Sequence, residues 1–157
     1  MNVITSTQTL KYFCEALLKE DNKSYITVDT EFQREDTYWP ELCLLQIAGS
    51  QRHALIDPFA PDIDLSLLKS IFFNPSILKV FHAARQDLEI FYLLWQDLPH
   101  PLFDTQIAAM ACGFGESIGY SQLVEALLKE KIDKTSQFTN WKHRPLSEKQ
   151  LRYALED

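Results

Sequence analysis

A chain of 157 residues, 46% of them hydrophobic, can bury one core and is too short for two ordinary domains. No apolar run approaches the roughly 20 residues of a membrane span, and the opening "MNVITSTQTLKYFCEALLKE" has neither a basic start nor an apolar centre, which excludes a secretory signal. A net charge of −7, from 22 acidic against 15 basic residues, excludes a nucleic-acid binder held by bulk positive charge but leaves open one whose charge comes from bound cations. Cys14, Cys43 and Cys112 are far apart, odd in number and without a C-x-x-C pair, so they read as reduced thiols of a cytoplasmic protein.

Residues 5–20 are predicted helical, because Leu10, Phe13, Cys14, Leu17 and Leu18 recur at helical spacing behind Ser and Thr caps. Residues 25–32 alternate as a strand. Residues 41–49 form a more fully buried strand, and residues 53–58 a third that ends at proline. Short connections make these three an antiparallel meander. A helix follows over 64–73 with Asp64 as its N-cap, then a strand over 77–83 and a helix over 84–95. Residues 101–113 read as a short strand and a helix starting near Asp104. Further helices cover 121–129 and 147–157, with a polar loop between them. The order predicts an α/β domain, a mixed sheet with helices on its faces. No internal repeat is visible.

Asp29 and Glu31 stand two apart on the first of these strands and so share one face. Two neighbouring carboxylates repel unless a cation lies against them. Taken singly, the pair is an exposed strand end and Asp87 is a first-turn acid favoured by the helix dipole. Tyr153 and Asp157, four apart on one helix face, are then a solvated helix end. Taken together they supply what hard divalent cations need, oxygen ligands that leave room for water and phosphate. Two such ions about 3.5–4 Å apart stabilise the attacking and leaving oxygens of phosphoryl transfer. Asp29, Glu31, Asp87 and Asp157 suffice for such a pair, and Tyr153 adds a phenol able to orient the attacking water. Spacing alone does not bring the four together.

Three segments carry a resemblance. "VDTEF" resembles the first motif of the DEDD 3′–5′ exonucleases, "FHAARQDLEIF" is similar to the second, and "YALED" resembles the third, Y-x-x-x-D, whose tyrosine marks the DEDDy branch. The linking segments "TYWPELCLLQIA", "LFDTQIAAM" and "WKHRPLSEKQLRYALED" are similar to the ribonuclease D family, over nearly the whole of residues 25–157. The resemblance implies a ribonuclease H-like fold, a mixed sheet of antiparallel meander plus parallel strands flanked by helices. It implies hydrolysis of RNA from its 3′ end to 5′-mononucleotides, with tRNA precursors among the substrates. Asp29, Glu31, Asp87 and Asp157 would bind two Mg²⁺ or Mn²⁺ ions, and Tyr153 would hold the nucleophilic water. The expected partner is a single-stranded RNA 3′ end, with no membrane, and the protein a cytoplasmic monomer. The rival readings are an exonuclease of the same fold acting on DNA and a non-catalytic RNA-binding scaffold. The presence of all four carboxylates argues against the scaffold. Ribonuclease D continues past the third motif into helical nucleic-acid-binding domains. The resemblance therefore implies that residues 1–157 are a catalytic domain cut at that motif, with weak metal occupancy at Asp157 and low activity.

Around these residues lies a set expected to touch substrate: Thr30, Phe32, His82 and Arg144. Phe32 can stack on a terminal base or fill the core. His82 can line the site or serve as a hydrogen-bonded structural histidine. Asp104 and Thr105 are expected to cap a helix. Trp141, Lys142, His143 and Arg144 form a basic-aromatic patch, either a phosphate or base contact or a solvated loop.

Overall fold

In this computed structural model, residues 3–20, 24–35, 37–132 and 139–156 are described. Among these residues six strands form: β1 (Val3–Ile4), β2 (Tyr25–Gln33), β3 (Glu41–Ala48), β4 (His53–Ile56), β5 (Leu78–Phe81) and β6 (Leu102–Asp104), with clear alternation of burial in β2 and β5 and continuous burial in β3. They form one sheet in the order β1-β4-β3-β2-β5-β6. β2, β3 and β4 are the expected antiparallel meander. β1, β5 and β6 join in parallel. The two-residue β1 was not expected, since two residues are too few to show a period.

The helices are α1 (Thr7–Leu17), α2 (Lys69–Phe72), α3 (Arg85–Trp95), α4 (Thr105–Ala111), α5 (Tyr120–Leu128) and α6 (Glu148–Glu156). Ser6 caps α1 by accepting from the Thr9 amide, which starts the helix two residues later than its apolar periodicity suggests. The helix expected over 64–73 is a 3₁₀ turn, Leu65–Leu68, running into the single turn of α2. Asp64 caps that turn as expected. Among the described residues no helix is long and apolar enough to cross a membrane. Residues 133–138 of the expected loop lie outside the described set.

β3 is buried along nearly its whole length because both of its faces are covered. One face carries the main core, where α1, α2 and α3 bury Leu10, Leu17, Phe72 and Phe91 against Ile26, Val28, Leu45 and Ile47. The other face carries a smaller cluster, Cys43, Leu44, Leu55, Trp141, Tyr153 and Ala154, brought largely by α6 and the segment before it. Burial pushes the thiols of Cys14 and Cys43 up to about 11, so both stay protonated. All three cysteines are free.

Candidate active site

Within β2, β5 pairs with Tyr25–Thr27, so β2 runs on beyond this parallel neighbour. Asp29 and Glu31 lie on this overhang. Ile26 and Val28 point into the main core, so Asp29 and Glu31 face the side that α6 covers. Across β3, Asp29 opposes Gln46 and Glu31 opposes Leu44, after which the register jumps to Phe32 opposite Leu42. Cys43 is the extra residue of this bulge, a local break of the kind common beside active sites.

Asp29 and Tyr153 line one cleft of about 350 Å³, together with His82, Thr105, Gln106 and Tyr120. Two elements far apart in sequence, β2 and α6, thus meet around it. A second cleft of about 390 Å³ shares Asp29 and Tyr120 and adds Gln46, His53 and Glu156. The last expected ligand, Asp157, lies outside the described residues.

Asp87 reaches the same strand by another route. β5 ends at Phe81, and Ala83 adopts a left-handed φ of 57° that turns the chain into α3. The Asp104 carboxylate accepts from the Ala83 and Ala84 amides and fixes that turn. Asp87, one turn inside, is buried and accepts a 2.5 Å hydrogen bond from the Thr30 hydroxyl. Burial pushes its carboxyl up to about 6, the Thr30 bond opposes that shift, and the charge of Asp104 adds to it. Among the described residues no three side chains of metal-ligand type stand close enough to form a site by themselves. Like-charged carboxylates have no reason to close up before a cation arrives.

The four expected substrate contacts fare differently. Thr30 is buried on the opposite face of β2 from Asp29 and donates to Asp87, so its side chain supports that carboxylate. Phe32 packs, half buried, against the main core. His82 lines the cleft, yet both ring nitrogens are bonded, Nδ1 to Thr105 Oγ1 at 2.9 Å and Nε2 to the Ile118 carbonyl at 3.0 Å. The carbonyl can only accept, so Nε2 carries a proton. Arg144 has no donor left for phosphate, because all five of its N–H groups are directed at acceptors within the protein. Trp141, read as part of an exposed patch, is buried against Tyr153 with ring centroids 6.0 Å apart. Asp104 and Thr105 behave as expected at the start of α4, the carboxylate accepting from the Gln106 amide.

Gln46 and Tyr120 were missed. Gln46 is the one polar interruption inside the apolar run of β3, a signal the sequence did contain. It is buried beside Asp29, and neither amide atom has a hydrogen-bond partner among the described residues. Tyr120 opens α5 and meets His82 edge-on at 5.6 Å, and nothing in its sequence neighbourhood announces this.

A family model described as 3′–5′ exonuclease matches residues 1–157. The chain belongs to the 3′–5′ exonuclease family. The exonuclease domain is 54% identical to ribonuclease D of Sphingobium indicum over 156 residues, 99% of this chain and 39% of that protein. Its fold superposes on Escherichia coli RNase D, described as an exoribonuclease involved in structured RNA processing, with a TM-score of 0.91 and 42% identity over 98% of this chain and 40% of that one. Brucella melitensis NrnC with bound Mg²⁺ is similar at 28% identity and a TM-score of 0.72, over 85% of this chain and 67% of that one. The exonuclease domain therefore spans about two fifths of the length of the ribonuclease D relatives it matches. Its sheet is ribonuclease H-like, and the resemblance to ribonuclease D carried by the three motifs is borne out.

Proposed function

We propose that this exonuclease domain hydrolyses RNA from the 3′ end, with Asp29, Glu31, Asp87 and Asp157 holding divalent cations and Tyr153 orienting the attacking water. The observation that carries the reading is the meeting of Asp29 and Tyr153 in one cleft, beside the strand end against which Asp87 is braced. An all-oxygen donor set fits Mg²⁺ or Mn²⁺. Asp87 fits in a second way: burial and Asp104 both disfavour its charge, and a cation would reverse that balance. The Mg²⁺-bound relative supports the same assignment. When bound, the ions would acidify a water and offset charge on the phosphate.

The residues divide the remaining work. The Tyr153 phenol, buried beside Trp141, has few orientations open to it and can fix a water by hydrogen bonding. His82, held at both nitrogens, forms a rigid wall of the cleft. The cleft volume falls within the range of small-ligand pockets, enough for part of a terminal nucleotide. RNA is favoured over DNA because the ribonuclease D relatives are so similar over the whole chain.

The test uses RNA and DNA strands labelled at the 5′ or 3′ end, incubated with Mg²⁺, Mn²⁺ or a chelator. A 5′-labelled RNA should shorten stepwise, the 3′ label should leave as a mononucleotide, and chelation should stop both. Asp29→Asn should abolish hydrolysis while preserving the fold, since it removes a ligand charge and keeps the side chain's shape. Near-normal turnover by the folded Asn variant would sink the metal assignment. Faster loss of DNA than RNA would move the substrate class.

A further inference from the structure

Arg144 lies 87 residues from Asp57 and 101 from Cys43, yet joins both to the segment that leads into α6. Its Nε donates to Asp57 Oδ2 at 2.7 Å and its Nη2 to Asp57 Oδ1 at 2.8 Å, a bidentate fork. Nη2 also donates to the Cys43 carbonyl at 2.6 Å, at the bulge of β3. Nη1 turns back to the Trp141 and His143 carbonyls at 2.7 and 3.0 Å. The guanidinium lies 4.9 Å from the ring centre of Phe59. One side chain thus binds the end of β4, the bulge of β3 and the backbone beside Trp141, the ring against which Tyr153 packs.

We propose that Arg144 is a positioning residue for the hydrolytic step, a clamp that sets where Tyr153 stands relative to Asp29. This rests on the role assigned above to Tyr153. The apolar cluster on this face is small, and apolar contact has no direction, so it holds α6 against the sheet without fixing its depth or rotation. The five hydrogen bonds have direction. Three of them tie the segment that leads into α6 to Asp57, just past β4, and to Cys43 in β3, the strand paired with the Asp29 overhang, while the other two brace that segment on itself. A displacement of about 1 Å at a reacting group can cost on the order of 100-fold in rate. Lysine could keep the charge but not the planar fork that meets Asp57 and Cys43 together.

The experiment is a double-mutant cycle on 3′-end hydrolysis, pairing Arg144→Lys or Asp57→Asn with Tyr153→Phe. Asp57→Asn keeps side-chain shape and an acceptor oxygen, which guards against loss of fold. Both clamp variants should stay folded by circular dichroism and lose about 10- to 100-fold in kcat with KM nearly unchanged. In the Tyr153→Phe background the same changes should cost almost nothing further. Amide exchange of α6, measured without metal, should quicken about tenfold or more in the clamp variants while β2 and β3 stay protected. Additive losses, a raised KM at constant kcat, or unchanged exchange in α6 would each overturn the clamp. A Tyr153→Phe variant with wild-type kcat would instead remove the role assigned to Tyr153, and the exchange measurement would still decide whether Arg144 holds α6.

Discussion

The two faces of the sheet are held by different physics. On one, α1, α2 and α3 bury a broad apolar layer in which Phe72, Phe91 and Trp95 pack ring against ring at 4.9–5.2 Å. On the other, α6 covers a small cluster and is tied down by Arg144, by Gln150 and by a salt bridge from Lys142 to Glu41. Apolar area supplies stability in bulk and tolerates small shifts. Hydrogen bonds supply less net free energy, about 1 kcal/mol each, but fix geometry. The site lies toward the second face, where position matters more than bulk.

The largest effect should come from breaking the first face. Phe72 is fully buried, touches both Phe91 and Trp95, and does not itself line the cleft. Phe72→Ala should destabilise the domain by about 3–5 kcal/mol. Denaturant unfolding measures this, and the hydrolysis rate per folded molecule should stay near wild type. A fall in that rate larger than the fall in folded fraction would show that the two faces are not separable.

Asp87 belongs to α3, a helix of the first face, and its ionisation sharpens the comparison next. Burial, its largest cause, raises the folded carboxyl to about 6 from the ordinary 3.8. The folded state therefore holds this proton more tightly than the unfolded chain. The stabilisation is complete below about pH 4, where both states are protonated, and is lost as pH rises through 6. Asp87→Asn removes the titration while keeping an acceptor for Thr30. In chelator at pH 7 the variant should be the more stable protein, by up to about 3 kcal/mol, and the gap should close below pH 4. Mg²⁺ should reverse the order by stabilising only the wild type. Thermal melts between pH 4 and 8, with and without the ion, check both arms. A gap that does not depend on pH would mean that Asp87 is ionised without penalty.

Much of this was legible in the sequence, and the split follows the same division. The strands of the meander, the periodic helices, and the caps at Ser6, Asp64 and Asp104 are local patterns, and local patterns are written in neighbouring residues. The D-x-E pair and Tyr153 are likewise visible as motifs. Contacts across long separations were not. Thr30 was expected among the substrate contacts, whereas strand alternation turns it to the other face from Asp29, toward Asp87. Arg144 was read as part of a basic-aromatic patch, a phosphate or base contact or a solvated loop, because its partners, Asp57 just past β4 and Cys43 in β3, are brought near only by the fold. The bulge at Cys43 leaves no mark, because its neighbours Leu42, Leu44 and Leu45 are apolar like it. Gln46 is the exception, a polar residue in a buried strand that could have been singled out beforehand.

The smallest effect gives the finest comparison, because the same local device occurs on both faces. Ser6 heads α1 on the apolar face, its hydroxyl oxygen accepting from the Thr9 amide at 3.3 Å. Ser147 heads α6 on the tethered face, accepting from the Gln150 amide at 3.2 Å while the Gln150 side chain accepts from the Ser147 amide at 3.0 Å. This reciprocal pair is a capping box, and Gln150 extends it to Thr139 Oγ1 and the Asn140 carbonyl. Loss of a serine cap costs about 1 kcal/mol wherever it occurs. Ser6→Ala and Ser147→Ala should therefore shift the unfolding midpoint by similar small amounts. Their effects on hydrolysis should differ. α1 rests on a wide apolar layer and does not carry the site, so Ser6→Ala should leave kcat unchanged. α6 carries Tyr153, and loosening its first turn frees Gln150 from Ser147, one turn before that residue. Ser147→Ala should lower kcat a few-fold, about 1 kcal/mol in the transition state, with KM unchanged. Steady-state rates on a 3′-labelled RNA, taken with the two melting curves, decide it. Equal kcat in the two variants would mean that the placement of α6 does not depend on its cap, and that the clamp at Arg144 alone carries the geometry of this face.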